Sequence, residues 1–397
     1  MRKHLRILVA NDGIDDRGGV KTYLLSLFRG LLERRHEVAF LSYNRQTPND
    51  LPPEFKAIPR FGALDEGASK ALGRARAWAP HVCYSNNMSV LELESHLLDH
   101  FRVVKFMHGY FGTCISNLKM HRFPIPSPCS RKLSPACLGF YFTRRCGEIS
   151  LPAMRDGYRW SLRQRELFAR YAALVVASDH MKHEYIRNGA EPSRVVVNPL
   201  FTPCEVNEAT QSPSVKYGSD VLFVGRMTHL KGGDMLLKAV AVAERKLGRG
   251  LTLTMAGDGP QRPQWEQRAS RLGVKTRFVG WVSSGQLEHL YRDASLLAIP
   301  SLWPEPFGLI GLEAGRFGVP AVAFDVGGIS QWLHDGVNGV LVRGSHPHHY
   351  QGMGQVLAEV LSQPEQLVIL RRGARQFALQ MSVDAHLDRL EHIFSHV

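Results

Sequence analysis

Two carboxylates, Glu305 and Glu313, bracket the run WPEPFGLIGLEA over 303–314, with seven residues between them. The first falls in a Pro-rich loop after an apolar strand. The second is expected about two turns into a helix starting near Gly308. Acids at the mouth and side of one helix start can grip the hydroxyls of a sugar and a ribose, while the N–H groups of Phe307, Gly308 and Leu309 face an anion. Upstream, Val224-Gly225-Arg226 closes a strand and Lys231-Gly232-Gly233 lies just beyond. Arg226 and Lys231 are then two cations on one loop, able to neutralise a diphosphate, Arg as a fork and Lys as a point charge. A pair of solvated loop cations is the simpler reading of these two alone.

A second glycine pair, Gly18-Gly19, precedes an amphipathic stretch in the first half. Glycines before a helix let a phosphate approach free backbone N–H groups, although an ordinary turn has the same composition. The Walker lysine spacing and the three-glycine dinucleotide fingerprint are both absent.

These residues need strands to hold them at a common edge. The run LRILVA over 5–10, the Gly loop, the apolar-periodic stretch 20–34 and the run 37–41 form a strand–loop–helix–strand unit. Buried strands are expected at 103–107, 174–177 and 195–197. The stretch 202–220 loses its apolar period and reads as a linker. The pattern then restarts with strands at 220–224, 251–255, 278–280, 296–299 and 321–324 and a helix at 234–247. The expected organisation is two doubly wound α/β domains, 1–204 and 220–380, joined by a linker at 205–219. A terminal helix within 381–397 is expected to brace the first domain. Such domains face one another across a cleft at their strand carboxyl ends.

The 397 residues, 44% hydrophobic and 21% charged, suit a globular protein with two or three domains and exclude a disordered chain. No apolar run approaches the ~18 residues of a spanning helix. The four-residue apolar run 7–10 is too short for a signal-peptide core, so a cytoplasmic address is expected. The net charge of +13 is uneven. Residues 1–200 hold 30 basic and 18 acidic side chains, and 101–150 alone hold eight against one. A one-sided field favours an anionic partner, whether nucleic acid, phosphorylated ligand or membrane surface.

Four of the six cysteines, Cys114, Cys129, Cys137 and Cys146, fall in a Pro-rich and basic stretch over 111–150. Their gaps of 14, 7 and 8 residues lack the short hook of structural zinc sites, which favours free or packed thiols over a clamped loop. Metal analysis of the purified protein separates the two. The segment reads as a long ordered loop.

The motifs VGRMTHLKGG, MAGDGP, FVGWVS and EPFGLIGLEAGRFGVPAVAFDVGG, in that order, resemble the donor domain of glycosyltransferase family 4, the retaining group 1 enzymes of the two-Rossmann-domain GT-B fold. The resemblance is close over about residues 218–345. It is looser in the first half, where Gly18-Gly19-Val20, His108-Gly109 and 178–198 fit. It implies that Arg226 and Lys231 bind the donor pyrophosphate and stabilise the leaving group without a divalent metal or other cofactor. It implies further that Glu313 holds the ribose, that Glu305 contacts the donor sugar, and that Gly18 and Gly19 approach from the other domain. Asp258, Gly259, Trp281 and Val282 would lie near the base, and His108 near the transferred sugar, where its carbonyl or imidazole stabilises an oxocarbenium-like centre. Lys21 stands where the family more often has Glu or Gln, and the Cys-containing loop looks like an insertion present in some members.

The expected activity is retaining transfer of a sugar from a UDP-, GDP- or ADP-linked donor to a hydroxyl of a glycan or glycolipid, in surface polysaccharide or glycolipid synthesis. The basic half would dock peripherally on the inner face of an anionic membrane. A nucleotide-sugar hydrolase or epimerase of the same fold is the alternative, distinguished by turnover without acceptor. A nucleic-acid-binding protein fits worse, since no recognised motif or repeating aromatic platform accompanies the charge.

Overall fold

The computed structural model describes residues 4–14, 19–44, 52–202, 220–343 and 349–397. Gly18 and the expected linker at 205–219 lie outside the described residues. The first lobe is built on strands β1 (Arg6–Asn11), β2 (Glu37–Ser42), β3 (Arg60–Gly62), β4 (Val82–Ser85) and β5 (Val103–Met107). A small hairpin, β6 (Met120–His121) with β7 (Ser127–Pro128), stands apart from the sheet, which continues with β8 (Ala173–Val176) and β9 (Val195–Val197). The second lobe holds β10 (Asp220–Val224), β11 (Thr252–Ala256), β12 (Thr276–Gly280), β13 (Leu296–Ile299), β14 (Ala321–Phe324) and β15 (Gly339–Val342).

The first sheet runs β3-β2-β1-β4-β5-β8-β9 and the second β12-β11-β10-β13-β14-β15, every pairing within them parallel. Parallel strands buried on both faces read as unbroken apolar runs, which is why 6–11 and 296–299 are legible without alternation. In each sheet the strand order reverses once, between β1 and β4 and between β10 and β13. Ligand crevices open at such switch points, beyond the carboxyl ends of the strands.

The helix Gly19–Glu33 buries Tyr23, Leu24, Leu27, Phe28 and Leu31 on one stripe, the face its 3.6-residue period marks in the sequence. The last helix, Val383–His396, lies against it and buries Leu387, Leu390, Ile393 and Phe394. Leu387 packs so closely on Gly30 that a Cβ there would sit 2.4 Å from its Cδ1. Arg34, its side chain 6% exposed, pairs with Asp384 (2.7 Å), Asp388 (2.7 Å) and Glu391 (3.0 Å) of the same helix. His386 completes the seam. Its Nδ1 donates to the Pro199 carbonyl at 2.8 Å, so Nε2 is the acceptor for the Tyr23 hydroxyl at 2.9 Å, and Tyr23 in turn meets the Tyr84 hydroxyl at 2.6 Å.

The segment 111–150 differs from the plain loop expected of it. Besides the β6–β7 hairpin it carries the helix Ala136–Thr143, and its own small core contains Ile115, Leu133, Tyr141 and Cys146. The helix sequence ACLGFYFT is apolar on every side, so no periodicity marks it. Cys114, Cys129, Cys137 and Cys146 are all free thiols, and among the described residues no three His, Cys, Asp or Glu side chains form a group able to hold a metal ion. Cys146 lies 3.5 Å from His121 Nδ1, and burial pushes its thiol up to about 12.

Candidate active site

The switch point of the second sheet gathers the residues with chemical capacity. β10 runs into the loop 225–232, and β13 into the loop 300–309. These two loops are laid against each other, with Leu302 N–H donating to the Leu230 carbonyl at 2.8 Å. Gly232 makes that approach possible. It sits at φ +68°, and a Cβ there would lie 1.8 Å from the Pro300 carbonyl oxygen. The result is direct contact between the side chains of Lys231 and Glu305. Lys231 Nζ is 2.7 Å from Glu305 Oε1, the same oxygen accepts from Ser301 Oγ at 2.5 Å, and the ammonium lies 5.7 Å from the Trp303 ring centroid. Glu305 is buried. A buried carboxylate keeps its charge cheaply only when paired and hydrogen-bonded, and this one is both.

The helix after Glu305 begins later than the sequence suggests. Gly308 takes φ +87°, which an α-helix cannot include, so the helix spans Ile310–Arg316. Glu313 therefore stands in its first turn instead of two turns in. The Tyr291 hydroxyl donates to its Oε2 at 3.1 Å, while burial pushes its carboxyl above the usual range. The N–H groups of Phe307, Gly308 and Leu309 donate to no backbone carbonyl among the described residues, while the Phe307 carbonyl is held by Trp332 Nε1 at 2.7 Å. Arg226 is exposed and has no side-chain partner among the described residues.

Asp258 and Gly259 lie on the loop after β11, backed by the Met227 N–H, which donates to the Asp258 carbonyl at 2.8 Å. The Asp258 carboxylate is already engaged, by Gly259 N–H at 2.7 Å and Arg262 at 3.1 Å. Trp281 is 70% exposed and follows Gly280, whose carbonyl accepts from Gly257 N–H at 2.7 Å, and half-buried Val282 comes next. Trp281 and the 257–259 loop thus flank one edge.

The first lobe reaches the same place. Tyr110 donates to the Pro304 carbonyl at 2.8 Å and Ser178 to the Pro306 carbonyl at 2.7 Å, so the peptide groups on either side of Glu305 are gripped from across the cleft. His108, two residues before Tyr110 and at the end of β5, is hydrogen-bonded through Nε2 to Asn86 Oδ1 at 3.0 Å. Burial, with Lys105 and His386 adding to it, holds its pKa down at about 3, so the imidazole is neutral at physiological pH. Gly19 opens its helix with nothing within 4 Å of where a Cβ would stand, so no packing contact requires glycine there. Ser301, Tyr110 and Ser178 hold Glu305 and its flanking peptide groups, and none of the three was singled out as a site residue from the sequence. The signals were Ser301 two residues after the β13 strand, Tyr110 close behind His108, and Ser178 at the start of the 178–198 stretch that fits the family pattern.

Residues 207–377 match the family model of the glycosyl transferases group 1. That stretch of the chain is similar to this group. It is 29% identical over 402 residues to the D-inositol 3-phosphate glycosyltransferase of Geodermatophilus obscurus, covering 95% of this chain and 84% of that protein. The crystal structure of Anabaena HepE in complex with UDP and glucose superposes with a TM-score of 0.69 at 18% identity, covering 99% of this chain and all of that one. A sucrose-phosphate synthase from Thermosynechococcus elongatus superposes at 0.69 and 18% identity, over 99% and 98% of the two chains. The fold of this glycosyltransferase is the GT-B arrangement of two facing α/β lobes.

The two buried histidines of the glycosyltransferase give its stability a pH dependence of definite sign. His108 is held at about 3, and burial holds His386 down at about 4, with Arg389 adding to it against the Pro199 hydrogen bond. Both lie below the ~6.5 of an unfolded histidine. As pH falls below about 6.5 the unfolded chain takes up protons that the native state refuses, so stability drops until the native pKa values are reached. Thermal melts from pH 7 to pH 4 should show the midpoint falling by several degrees through this window. A flat profile there would remove the claim that both rings are neutral and buried.

Proposed function

We propose that this glycosyltransferase moves a sugar, with retention at the anomeric carbon, from a nucleotide diphosphate sugar to a hydroxyl of a glycan or glycolipid. The observation that carries the reading is the Lys231–Glu305 contact at the β10/β13 switch point, with Pro304 and Pro306 on either side of Glu305 held by the opposite lobe. In the step, the bond from the sugar C1 to the phosphate oxygen breaks, a bond from C1 to the acceptor oxygen forms, and the acceptor proton passes to the departing diphosphate. Charge grows on that diphosphate as the bond opens. Lys231 and the exposed Arg226 would offset it, aided by the N–H groups of Phe307, Gly308 and Leu309. Glu305 would orient Lys231 and accept from a donor-sugar hydroxyl, and Glu313 would accept from the ribose. The neutral His108 would sit beside the positive sugar centre without repelling it, Gly18 and Gly19 would approach the phosphates, and Asp258, Gly259, Trp281 and Val282 would border the base.

On the acceptor side, a cavity of about 380 Å³ opens at the carboxyl ends of β1, β4 and β5, its lining including Asp12, Asn86, Asn87, Lys105 and Trp160. Lys105 is neutralised within it by buried Glu94 at 2.9 Å, so the lining offers hydrogen bonds more than net positive charge. That suits a hydroxyl-bearing acceptor. The likeness to a protein solved with UDP and with UDP-glucose supports a UDP-linked donor over GDP- or ADP-linked ones. Thermal-shift titration with UDP-, GDP- and ADP-sugars should single out one nucleotide, because a ligand of the native state alone raises the melting point. NMR of the product should then show the donor's anomeric configuration. An inverted product, or rapid release of free sugar without acceptor, would overturn the reading.

A further inference from the structure

The segment around 111–166 carries features that sugar transfer does not use. Among the described residues, four of the exposed large apolar side chains, Phe123, Ile125, Ile149 and Leu151, fall within 29 consecutive positions, with Ile149 80% and Leu151 66% exposed. Beside them an apolar groove of about 410 Å³ has Leu138, Leu151, Met154 and Tyr158 in its lining, together with Arg155 and Arg159. The same stretch is strongly cationic, with six basic against two acidic residues over 123–159. Arg131, Lys132, Arg144 and Arg145 are all exposed. Charge and apolar surface are joined locally, since Phe123 N–H donates to the Arg144 carbonyl at 3.1 Å and the Arg145 guanidinium lies 5.1 Å from the Phe123 ring centroid. The segment is anchored at its base, where Met120 is buried in the core of the second lobe and Ser161 Oγ donates to the Cys114 carbonyl at 3.0 Å.

Exposed apolar side chains grouped in this way mark an interaction surface. Their setting selects the partner. Solvated cations with few acids between them favour a negative surface, and protruding Ile, Leu and Phe favour one that accepts apolar groups at headgroup depth. We propose that this face docks on an anionic phospholipid bilayer, with Phe123, Ile125, Ile149 and Leu151 seated among the headgroups and the arginines around them against lipid phosphates. Neither signal anchors a protein firmly alone, and here both occur within one segment. No helix among the described residues is long and apolar enough to cross a membrane, so the contact is peripheral. The inference deepens the glycolipid reading of the acceptor, and its binding measurement needs no donor or acceptor.

The measurement is flotation of the full-length protein with vesicles of phosphatidylglycerol and phosphatidylcholine, against vesicles of phosphatidylcholine alone, at low salt and at about 0.5 M salt, where exposed charges are screened. Binding to the anionic vesicles at low salt should exceed binding to neutral ones by roughly ten-fold or more. Ile149→Ser with Leu151→Ser, and separately Arg144→Glu with Arg145→Glu, should each lower it by roughly ten-fold. Both variants should keep the native circular dichroism and the nucleotide-sugar thermal shift, so loss of docking is distinguishable from loss of the transferase site. Equal binding to neutral vesicles, no binding to either, or binding unchanged in either variant would overturn the proposal. An acidic protein as the true occupant would appear as no vesicle binding.

Discussion

Replacing Lys231 by Ala is expected to lower kcat/KM by about 10³-fold, and Glu305→Gln by about 10²- to 10³-fold, the scale measured when one preorganised electrostatic group is removed. The argument starts from the pair's geometry. Lys231 Nζ and Ser301 Oγ converge on one oxygen of a buried carboxylate, so the ammonium is held in place before any donor arrives. Removing the lysine deletes the charge itself. Removing only the carboxylate's charge leaves the ammonium present but loosely aimed, which costs turnover more than nucleotide binding. Because the two side chains touch, their effects should not add. The double variant is expected within about ten-fold of the worse single one, where independence would multiply the losses. Steady-state kinetics on all four proteins, with nucleotide binding measured in parallel, reads this directly. Multiplying losses, or turnover unchanged in both single variants, would mean that the contact has no part in the chemistry.

The second large effect is on the fold. Gly232→Ala forces a Cβ to within 1.8 Å of the Pro300 carbonyl oxygen at a residue with φ +68°. The backbone conformation alone costs about 1–2 kcal/mol for a residue with a Cβ. The clash is with main chain, which cannot rotate aside, so the total should exceed roughly 4 kcal/mol. Gly248→Ala is a matched control, since Gly248 has φ +65° and nothing within 4 Å of the added atom. It should show only the conformational cost of about 1–2 kcal/mol. Denaturant melts of the two variants should therefore differ by at least ~2 kcal/mol. Gly232→Ala should also lose donor binding, because the loop bearing Lys231 must lift away from the 300–305 loop. Equal destabilisation at the two positions would mean that the close approach of these loops is not tight.

Much of the scaffold was legible because its physics is local. Strands buried on both faces, as in 103–107 and 296–299, announce themselves as short apolar runs bounded by turns. The stripes of the helices Gly19–Glu33 and Gly233–Leu247 follow from a 3.6-residue period. Reading failed where the signal was not local. The helix Ala136–Thr143 is apolar all round, so only its packing into the small core with Ile115, Leu133 and Tyr141 defines it. The start of the helix bearing Glu313 was misplaced by two residues, because the left-handed turn at Gly308 depends on how the Phe307 carbonyl is held by Trp332, 25 residues away.

For the site, sequence by itself determined the types of residue, their order along the chain and the family their motifs resemble. The pairing of loop cations with a Pro-rich acidic motif after a strand is a property of neighbouring positions. Which of those residues meet is another matter. Lys231 and Glu305 are 74 positions apart, and Tyr110 lies 194 positions from the Pro304 carbonyl it holds. Their contacts exist only because parallel sheets put the ends of sequence-distant strands side by side and because two lobes close on one loop. The charge of a histidine or the freedom of a lysine is likewise set by burial and partners. Composition cannot state these, since the same residue exposed on a turn would carry ordinary values.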